Sequence, residues 1–253
     1  MTVDLVSPER HLALESIFNF RDLGGYETSD GRAVRWRRVY RADGVHRLGG
    51  DDLERVRALG IRTVLDLRTD GEVEARGRFP VDAHPVAYHH LPLLEATWDP
   101  RTLNADTPAA RFLADRYLDM LVEGAAAIAA ALHLLGDAGS YPLLFHCAAG
   151  KDRTGVLAAT VLSLLGVADD DIARDYALSR EGMGRMTTWL EENAPEAVDA
   201  MADQPAAFLS APPAAMRLFL DSMRSRHGSM QDYAEAIGIA EDLLHRVREN
   251  LLV

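Results

Sequence analysis

The sequence predicts an α/β fold in which a mostly parallel central sheet is flanked by helices and followed by an all-helical C-terminal part. Three short, largely apolar runs, IRTVLDL (61–67), VAYHHLPL (86–93) and YPLLFHC (141–147), have the length and composition of strands. Segments with helical spacing of apolar residues precede the first run, separate the second from the third and follow the third, and this alternation is typical of a layered fold around a parallel sheet. From Asp169 onward every segment has a helical pattern.

Local signals predict each further element. In the N-terminal part, Asp30-Gly31 lies between apolar runs and predicts a hairpin. A helix is expected over 51–60, because apolar residues recur at helical spacing and Gly60 can end it. Further helices are expected over 107–122, 124–135, 154–166, 169–179, 184–202, 212–228, 229–237 and 239–250, and the one over 184–202 is expected to be interrupted near Pro195. We expect these elements to form one domain over residues 1–253.

The composition excludes several functional classes. The chain has 253 residues and a net charge of −12, so it is not expected to bind nucleic acid or an anionic membrane over a broad surface. A single cysteine excludes an intramolecular disulfide framework. Residues 1–16 have no signal-peptide pattern, and no window reaches the roughly 18 apolar residues of a membrane span. We expect a cytoplasmic protein without integral membrane contact; leaderless secretion and the oligomeric state stay open.

The stretch HCAAGKDRTG, residues 146–155, contains the chain's only cysteine, Cys147, and its only lysine, Lys151. It follows a predicted buried strand and leads into a predicted helix. In such a turn successive backbone N–H groups form an anion-binding nest, and the helix N-terminus adds its positive dipole end. Gly150 permits a tight turn, and Arg153 can hold two phosphate oxygens in a bidentate fork. A thiol at the base of this nest is favoured as a thiolate, aimed at a bound tetrahedral anion.

His-Cys, five residues and Arg-Thr resemble the signature loop of the cysteine-based protein tyrosine phosphatases. The fuller HCAAGKDRTG, with NFRDLGG at 19–25 and VLDLR at 64–68, resembles the atypical bacterial branch. The lidded mycobacterial members of that branch act on phosphotyrosine, phosphoserine or phosphothreonine, and phosphoinositides. The resemblance implies a tyrosine-phosphatase-like sheet and a phosphatase activity. It also implies that the extra lysine accompanies highly charged substrates such as inositol phospholipids.

The motif predicts two-step covalent phosphoryl transfer, with Cys147 as the nucleophile and Arg153 stabilising the charge on the phosphoryl oxygens. No metal or other cofactor is expected, because the sequence has no metal-ligand spacing pattern. The phosphate-binding residues are expected to be Ala148, Ala149, Gly150, Lys151, Asp152, Arg153 and Thr154.

Three aspartates are candidates for the general acid. Asp152 lies inside the loop, where the resemblance implies an acid, or it only pairs with the loop's cations. Asp99, in TWDP, follows the second predicted strand, where an acid could reach the site. The alternative is that Asp99 is only a turn residue before proline. Asp66 lies in VLDLR, near the end of the first predicted strand, and ligands of open α/β folds bind beyond the carboxyl ends of strands. Asp66 is otherwise a structural partner of Arg68 or of the loop.

Other residues are expected to support the loop. Arg21 and Asp22, within NFRDLGG, are expected to hold it from outside, and His146 to keep the geometry beside the nucleophile. The Thr154 hydroxyl is expected to donate to the Cys147 sulfur or to cap the following helix. Residues 181–211 form either a helical lid over the active site, with Gly182 and Gly184 as hinges, or an ordinary packed helix pair.

The substrate stays open among three classes: phosphotyrosine or phosphoserine proteins, phosphoinositides, and soluble small molecules such as a nucleotide or a biosynthetic intermediate. Lys151 favours the more anionic substrates, whereas the acidic surface favours a soluble molecule. A non-catalytic phosphate-binding module and a sulfurtransferase are the alternatives from other classes. The presence of both Cys147 and Arg153 argues against a non-catalytic binding module. Arg153-Thr154, together with NFRDLGG, favours a phosphatase over a sulfurtransferase.

Overall fold

The computed structural model describes residues 10–98, 107–195 and 207–253. The strands are β1 (Arg21–Asp22), β2 (Val39–Ala42), β3 (Thr63–Asp66), β4 (Ala87–His90) and β5 (Leu143–His146). The helices are α1 (Gly50–Ala58), α2 (Asp70–Arg76), α3 (Ala109–Glu123), α4 (Ala125–Leu135), α5 (Asp152–Leu165), α6 (Asp169–Ala177), α7 (Ser179–Asn193), α8 (Pro213–His227), α9 (Met230–Ala236) and α10 (Glu241–Leu251).

The five strands form one sheet with the order β1-β2-β5-β3-β4. β1 runs antiparallel to β2, and the remaining neighbours are parallel. The predicted α/β fold with a mostly parallel central sheet is therefore confirmed. Ala42, Asp66 and His146 are in register at the carboxyl edge of the parallel strands. This edge is where α/β folds place their ligand sites.

Two hydrophobic cores cover the two faces of the sheet. Successive residues of β5 belong to opposite cores, with Phe145 in the larger and Leu144 in the smaller, because side chains alternate along a strand. α5 lies in the larger core, and 12 of its 14 residues are buried. Since α5 follows the HCAAGKDRTG loop directly, its packing fixes the position of the loop's C-terminal end.

Several helix bounds differ from the sequence prediction, and three of these differences lie close to the candidate loop or the candidate lid. α2 is absent from that prediction, although it begins with a capping box between Thr69 and Glu72. α5 begins two residues earlier than expected, so Asp152 and Arg153 belong to its first turn. α7 is continuous and begins five residues before the predicted start at 184.

The predicted hairpin around Asp30-Gly31 is present as a small one. Glu27 and Ala33 form an isolated antiparallel bridge on either side of it. Gly31 has φ +82°, the left-handed conformation that favours glycine in such turns.

Over the three described ranges, no single helix is long and apolar enough to cross a membrane. α3 and α4 reach the length and hydropathy of a span only when taken together, across a 75° bend. Both helices contribute residues to the larger hydrophobic core.

Candidate active site

The HCAAGKDRTG loop lies at the carboxyl edge of the sheet, between β5 and α5. Cys147 directly follows β5, and only 2% of it is exposed. Gly150 has φ +65°, and a Cβ there would lie 2.6 Å from the backbone oxygen of Ala42, so the turn requires glycine. In the described ranges, the N–H groups from Ala148 to Lys151 donate to no backbone carbonyl. An anion above Cys147 can therefore use them.

Neighbouring residues hold the loop from outside through its carbonyl oxygens. Asn19 Nδ2 donates to the carbonyl of Gly150 and to the one before it, at 3.1 and 3.0 Å. Arg41 Nη2 donates to the same Gly150 oxygen at 2.8 Å. The backbone N–H of Gly44 donates to the carbonyl oxygen of Ala148 at 3.0 Å. With its carbonyls bound on the outside, the loop is suited to turn its N–H groups inward.

Arg21 supports the loop indirectly. Its guanidinium donates to Asn19 Oδ1 and pairs with Asp175 of α6, with 3.0 Å between Nε and Oδ1. Arg41 pairs with the other oxygen of Asp175, and all three charged groups are buried. Burial by itself would raise the pKa of Asp175, but the two guanidinium groups outweigh burial and hold that pKa well below its ordinary value. The sequence prediction gave Asn19, Arg41 and Asp175 no role in holding the loop, because no local pattern marks these three polar side chains as buried.

Asp22 does not support the loop, and this part of the prediction is wrong. Its Oδ1 accepts from the N–H of Gly24 and its Oδ2 from the N–H of Arg37, both at 2.7 Å. Adjacent residues of a strand point to opposite faces of a sheet, so Asp22 faces away from the loop network that Arg21 joins. Asp22 therefore shapes the turn after β1.

Arg153 is held by Glu72, a carboxylate that the sequence prediction missed. Both terminal nitrogens of Arg153 donate to it, with 2.9 Å between Nη2 and Oε1. Burial by itself would raise the pKa of Glu72, but Arg153 and the N–H of Thr69 lower it to about 2. A guanidinium has five N–H donors, so this pair leaves donors for a phosphate. The Thr-x-x-Glu spacing at 69–72 was the available signal, because it marks a helix start.

Asp152 lies where an acid can reach a ligand. The Tyr117 hydroxyl donates to its Oδ1 at 2.6 Å and shares a second 2.6 Å hydrogen bond with the hydroxyl of Tyr176. Burial raises the pKa of both tyrosines well above the ordinary value, so both stay neutral. Oδ2 of Asp152 accepts no hydrogen bond from the part of the chain that the structure describes. Both tyrosines have the sequence pattern of core aromatic residues and were not predicted as site residues.

Asp66 is a structural residue. It is fully buried, pairs with Arg68 at 2.9 Å and accepts from the Tyr88 hydroxyl at 2.8 Å. Burial would raise its pKa, but the bond from Arg68 leads the effects that lower it to about 2, which does not suit a proton donor at neutral pH. His146 Nε2 lies 3.5 Å from Asp66, and burial lowers the His146 pKa to about 4. Asp99 lies outside the described residues.

The Lys151 side chain was expected to bind phosphate, but its ammonium is bonded to backbone carbonyls of a neighbouring segment. Its ammonium donates to the carbonyl oxygens of Phe208 at 2.8 Å and Ser210 at 2.9 Å, with that of Ala207 at 3.4 Å. These acceptors match the three N–H groups of an ammonium, so the predicted phosphate-binding role does not describe this side chain. The buried hydroxyl of Thr154 bonds neither the Cys147 sulfur nor any other described group, contrary to the prediction.

A cleft of about 250 Å³ opens beside Asp152 and Arg153. Its other walls are mostly apolar and are formed by Leu94, Thr97, Trp98, Met120 and Phe208. The rings of Trp98 and Phe208 lie 5.9 Å apart at an angle of 49°. Such walls suit a flat apolar group that lies next to the charged side chains of Asp152 and Arg153.

Residues 196–206 of the candidate lid (181–211) lie outside the described ranges. The preceding part belongs to α7, where Gly182 packs so closely on the chain at Phe18 that a Cβ would lie 2.9 Å from its carbonyl oxygen. Gly182 therefore permits close packing, and Gly184 lies two residues further in the same unbroken helix. Neither glycine interrupts the helix as a hinge would. The lid itself stays a prediction.

Three comparisons relate the chain to known proteins. A family model described as the tyrosine phosphatase family matches residues 12–253. A tyrosine-protein phosphatase of Cupriavidus necator is 40% identical over 181 residues, which cover 68% of this chain and 64% of that protein. The triple specificity protein phosphatase PtpB of Mycobacterium tuberculosis is 30% identical over 283 residues, 94% of this chain and 98% of that protein. Among solved structures, the core catalytic domain of the PP-IP phosphatase SIW14 from S. cerevisiae is 14% identical, with a TM-score of 0.39. The match covers 66% of this chain and 79% of that one, and the likeness is too distant to support an argument.

Proposed function

This chain is a phosphatase of the tyrosine phosphatase family, and we propose that it hydrolyses aryl phosphate monoesters, phosphotyrosine foremost, through a phosphocysteine formed on Cys147. The observation that carries the proposal is the cleft that joins the loop's cation and carboxylate to aromatic walls. Asp152 and Arg153 line the cleft together with Trp98 and Phe208.

In the first step, Cys147 Sγ attacks phosphorus while the bond from phosphorus to the leaving oxygen breaks. Asp152 gives its proton to that oxygen, so a neutral phenol or alcohol departs and phosphocysteine remains. In the second step, water attacks phosphorus and the sulfur–phosphorus bond breaks. Asp152 takes the proton from the water, and inorganic phosphate leaves as the thiolate is restored.

Arg153 and the loop N–H groups serve both steps by stabilising charge on the equatorial phosphoryl oxygens. Glu72 supports this role because it fixes the guanidinium plane before the substrate arrives. Preorganised donors of this kind need no rearrangement as charge develops in the transition state. Tyr117 supports Asp152 in the same way, since its hydroxyl holds Oδ1, while Oδ2 accepts no hydrogen bond from the described residues.

The walls of the cleft favour an aryl leaving group over an inositol ring. Trp98, Phe208, Leu94 and Met120 offer apolar surface, which a phenyl ring can bury and a polyhydroxylated ring cannot. The ammonium of Lys151, which favoured highly anionic substrates in the sequence, is occupied by backbone carbonyls. The relative named a triple specificity protein phosphatase is consistent with a protein substrate.

The chemical step is tested by steady-state kinetics on p-nitrophenyl phosphate with EDTA present. Cys147→Ser is expected to abolish turnover, and Asp152→Asn to lower kcat by about 10²- to 10⁴-fold, the usual contribution of a general acid. Asp115→Asn, an exposed carboxylate of α3 paired with Arg111, is the matched control and is expected to retain activity. Turnover that survives in Cys147→Ser would contradict the proposed mechanism.

Substrate class is tested with one peptide carrying either phosphotyrosine or phosphoserine, alongside soluble phosphoinositides and nucleoside monophosphates. Wild type is expected to prefer the phosphotyrosine peptide, and Trp98→Ala to reduce that preference. Trp36→Ala is the matched control, because Trp36 is partly exposed and lies outside the cleft. Equal losses on both peptides in Trp98→Ala, or a wild-type preference for a phosphoinositide or nucleotide, would contradict the aryl phosphate assignment.

A further inference from the structure

The chain's only lysine is buried at the edge of the candidate active site. No part of Lys151 is exposed to solvent, although its backbone belongs to the phosphate-binding loop. Its ammonium donates to the carbonyl oxygens of Phe208 and Ser210 at 2.8 and 2.9 Å and lies 3.4 Å from that of Ala207. The side chain therefore connects the loop to a segment more than 50 residues away in sequence.

The segment held by Lys151 forms one wall of the cleft. The ring of Phe208 lies 5.9 Å from that of Trp98 and makes an edge contact with Phe112 at 5.6 Å. Phe208 lines the cleft together with Asp152 and Arg153. The Phe208 carbonyl accepts from Lys151, so the ammonium is bound to the backbone that carries this ring.

The chemistry of the acceptors explains why lysine stands here in a chain with 26 arginines. Three carbonyl oxygens gathered around one point suit a compact ammonium with three donors. A planar guanidinium fork suits two oxygens of one carboxylate or phosphate and would not match this arrangement. Asp152 Oδ1 lies 3.3 Å from Nζ, so the buried ammonium also has a carboxyl oxygen beside it.

We propose that Lys151 is a positioning residue for specificity: its ammonium fixes residues 207–210 so that Phe208 forms the aromatic wall of the cleft, and it is not a phosphate ligand. This rests on the proposed aryl phosphate function. Lys151 acts on substrate choice through Phe208, and binding of the phosphate group itself is left to Arg153 and the loop N–H groups.

The kinetic test compares wild type with Lys151→Met and Lys151→Gln on one peptide carrying phosphotyrosine or phosphoserine, and measures inhibition by inorganic phosphate. Methionine has a similar length and no donors, so the ratio of kcat/KM for phosphotyrosine to phosphoserine is expected to fall roughly three- to tenfold, the scale of one aromatic contact. Glutamine retains two N–H donors without charge and is expected to restore most of the ratio. In both variants the inhibition constant of phosphate is expected to stay within about twofold of wild type, since a group bonded elsewhere contributes little directly.

A phosphate-ligand role would give a different pattern. Both variants would then weaken inhibition by inorganic phosphate to a similar extent, and the phosphotyrosine preference would stay at the wild-type value. That result would overturn the proposal. Phe208→Ala is expected to lower the preference by itself, and Lys151→Met added to it is expected to lower the preference no further. Additive losses would also overturn the proposal.

Hydrogen–deuterium exchange at the amides of 207–211 tests the anchor without any activity assay. Exchange is expected to be faster in Lys151→Met than in wild type, because the segment loses three backbone acceptor contacts. Arg226→Met, which replaces an exposed cation of α8, is the matched control and is expected to exchange like wild type.

If Lys151→Met does not fold, Lys151→Gln and Phe208→Ala carry the test. If wild type hydrolyses neither peptide, the proposed function fails, and unchanged exchange in the Lys151 variants would separately refute the anchor.

Discussion

Replacing Asp175 by asparagine tests how two arginines can stay buried beside the phosphate loop. The carboxylate is 1% exposed and pairs with both Arg21 and Arg41. Asparagine has the same shape but no charge, so the variant leaves two buried guanidinium groups without a counter-ion. Removing one partner of a buried ion pair costs about 3–5 kcal/mol. For a chain of this length, a loss of that size lowers the melting temperature by roughly 6–20 °C.

The effect also has a defined pH dependence. Burial would raise the pKa of Asp175, but Arg21 and Arg41 hold it well below the ordinary value. A carboxyl group whose folded-state pKa is depressed stabilises the protein above its unfolded-state pKa, about 3.9, and loses that contribution as the pH falls further. The difference in stability between wild type and Asp175→Asn is therefore largest above pH ~4 and shrinks below it.

Urea unfolding followed by circular dichroism measures both effects, at pH 7 and in a series down to pH 3. Asp171→Asn is the matched control, because Asp171 lies on the same helix in a partly exposed pair with Arg174. That control is expected to change the free energy of unfolding by no more than about 0.5 kcal/mol. A loss below about 1 kcal/mol in Asp175→Asn, or a difference that stays constant as the pH falls, would refute the reasoning.

Three further substitutions test the site. Tyr117→Phe removes the hydroxyl that holds Asp152 and is expected to lower kcat about tenfold with KM unchanged; a kcat equal to wild type would contradict this. Glu72→Gln weakens the hold on Arg153 and is expected to cost about 1–3 kcal/mol of stability. Since the Glu72 pKa is lowered to about 2, urea unfolding should show this difference fading as the pH falls from about 4 towards 2. Gly150→Ala places a Cβ 2.6 Å from a backbone oxygen and is expected to cost at least about 100-fold in kcat/KM while the protein stays folded; near wild-type kinetics would show that the turn tolerates a side chain.

The fold class and the centre of the site were predictable because their signals are local. HCAAGKDRTG is one continuous stretch, and a strand, a glycine turn and a helix start are each encoded within a few residues. Cys147 and Arg153 were therefore identified from the sequence, together with the roles expected of a nucleophile and a phosphate-binding guanidinium. α2 was missed although its capping box is also local, because a helix of seven residues without an apolar stripe gives little periodic signal.

What surrounds the motif was decided by tertiary structure alone. Glu72 is 81 residues from Arg153, and Lys151 binds the carbonyl of a residue 57 positions away. Periodicity and turn chemistry describe a few consecutive residues, whereas a buried pair forms only when folding brings distant segments together and excludes water. The sequence by itself determined a strand–loop–helix unit with a thiol at its base. Only the tertiary structure decided that the loop's lysine would turn to a neighbouring segment, because that choice depends on which carbonyls the folded chain leaves within its reach.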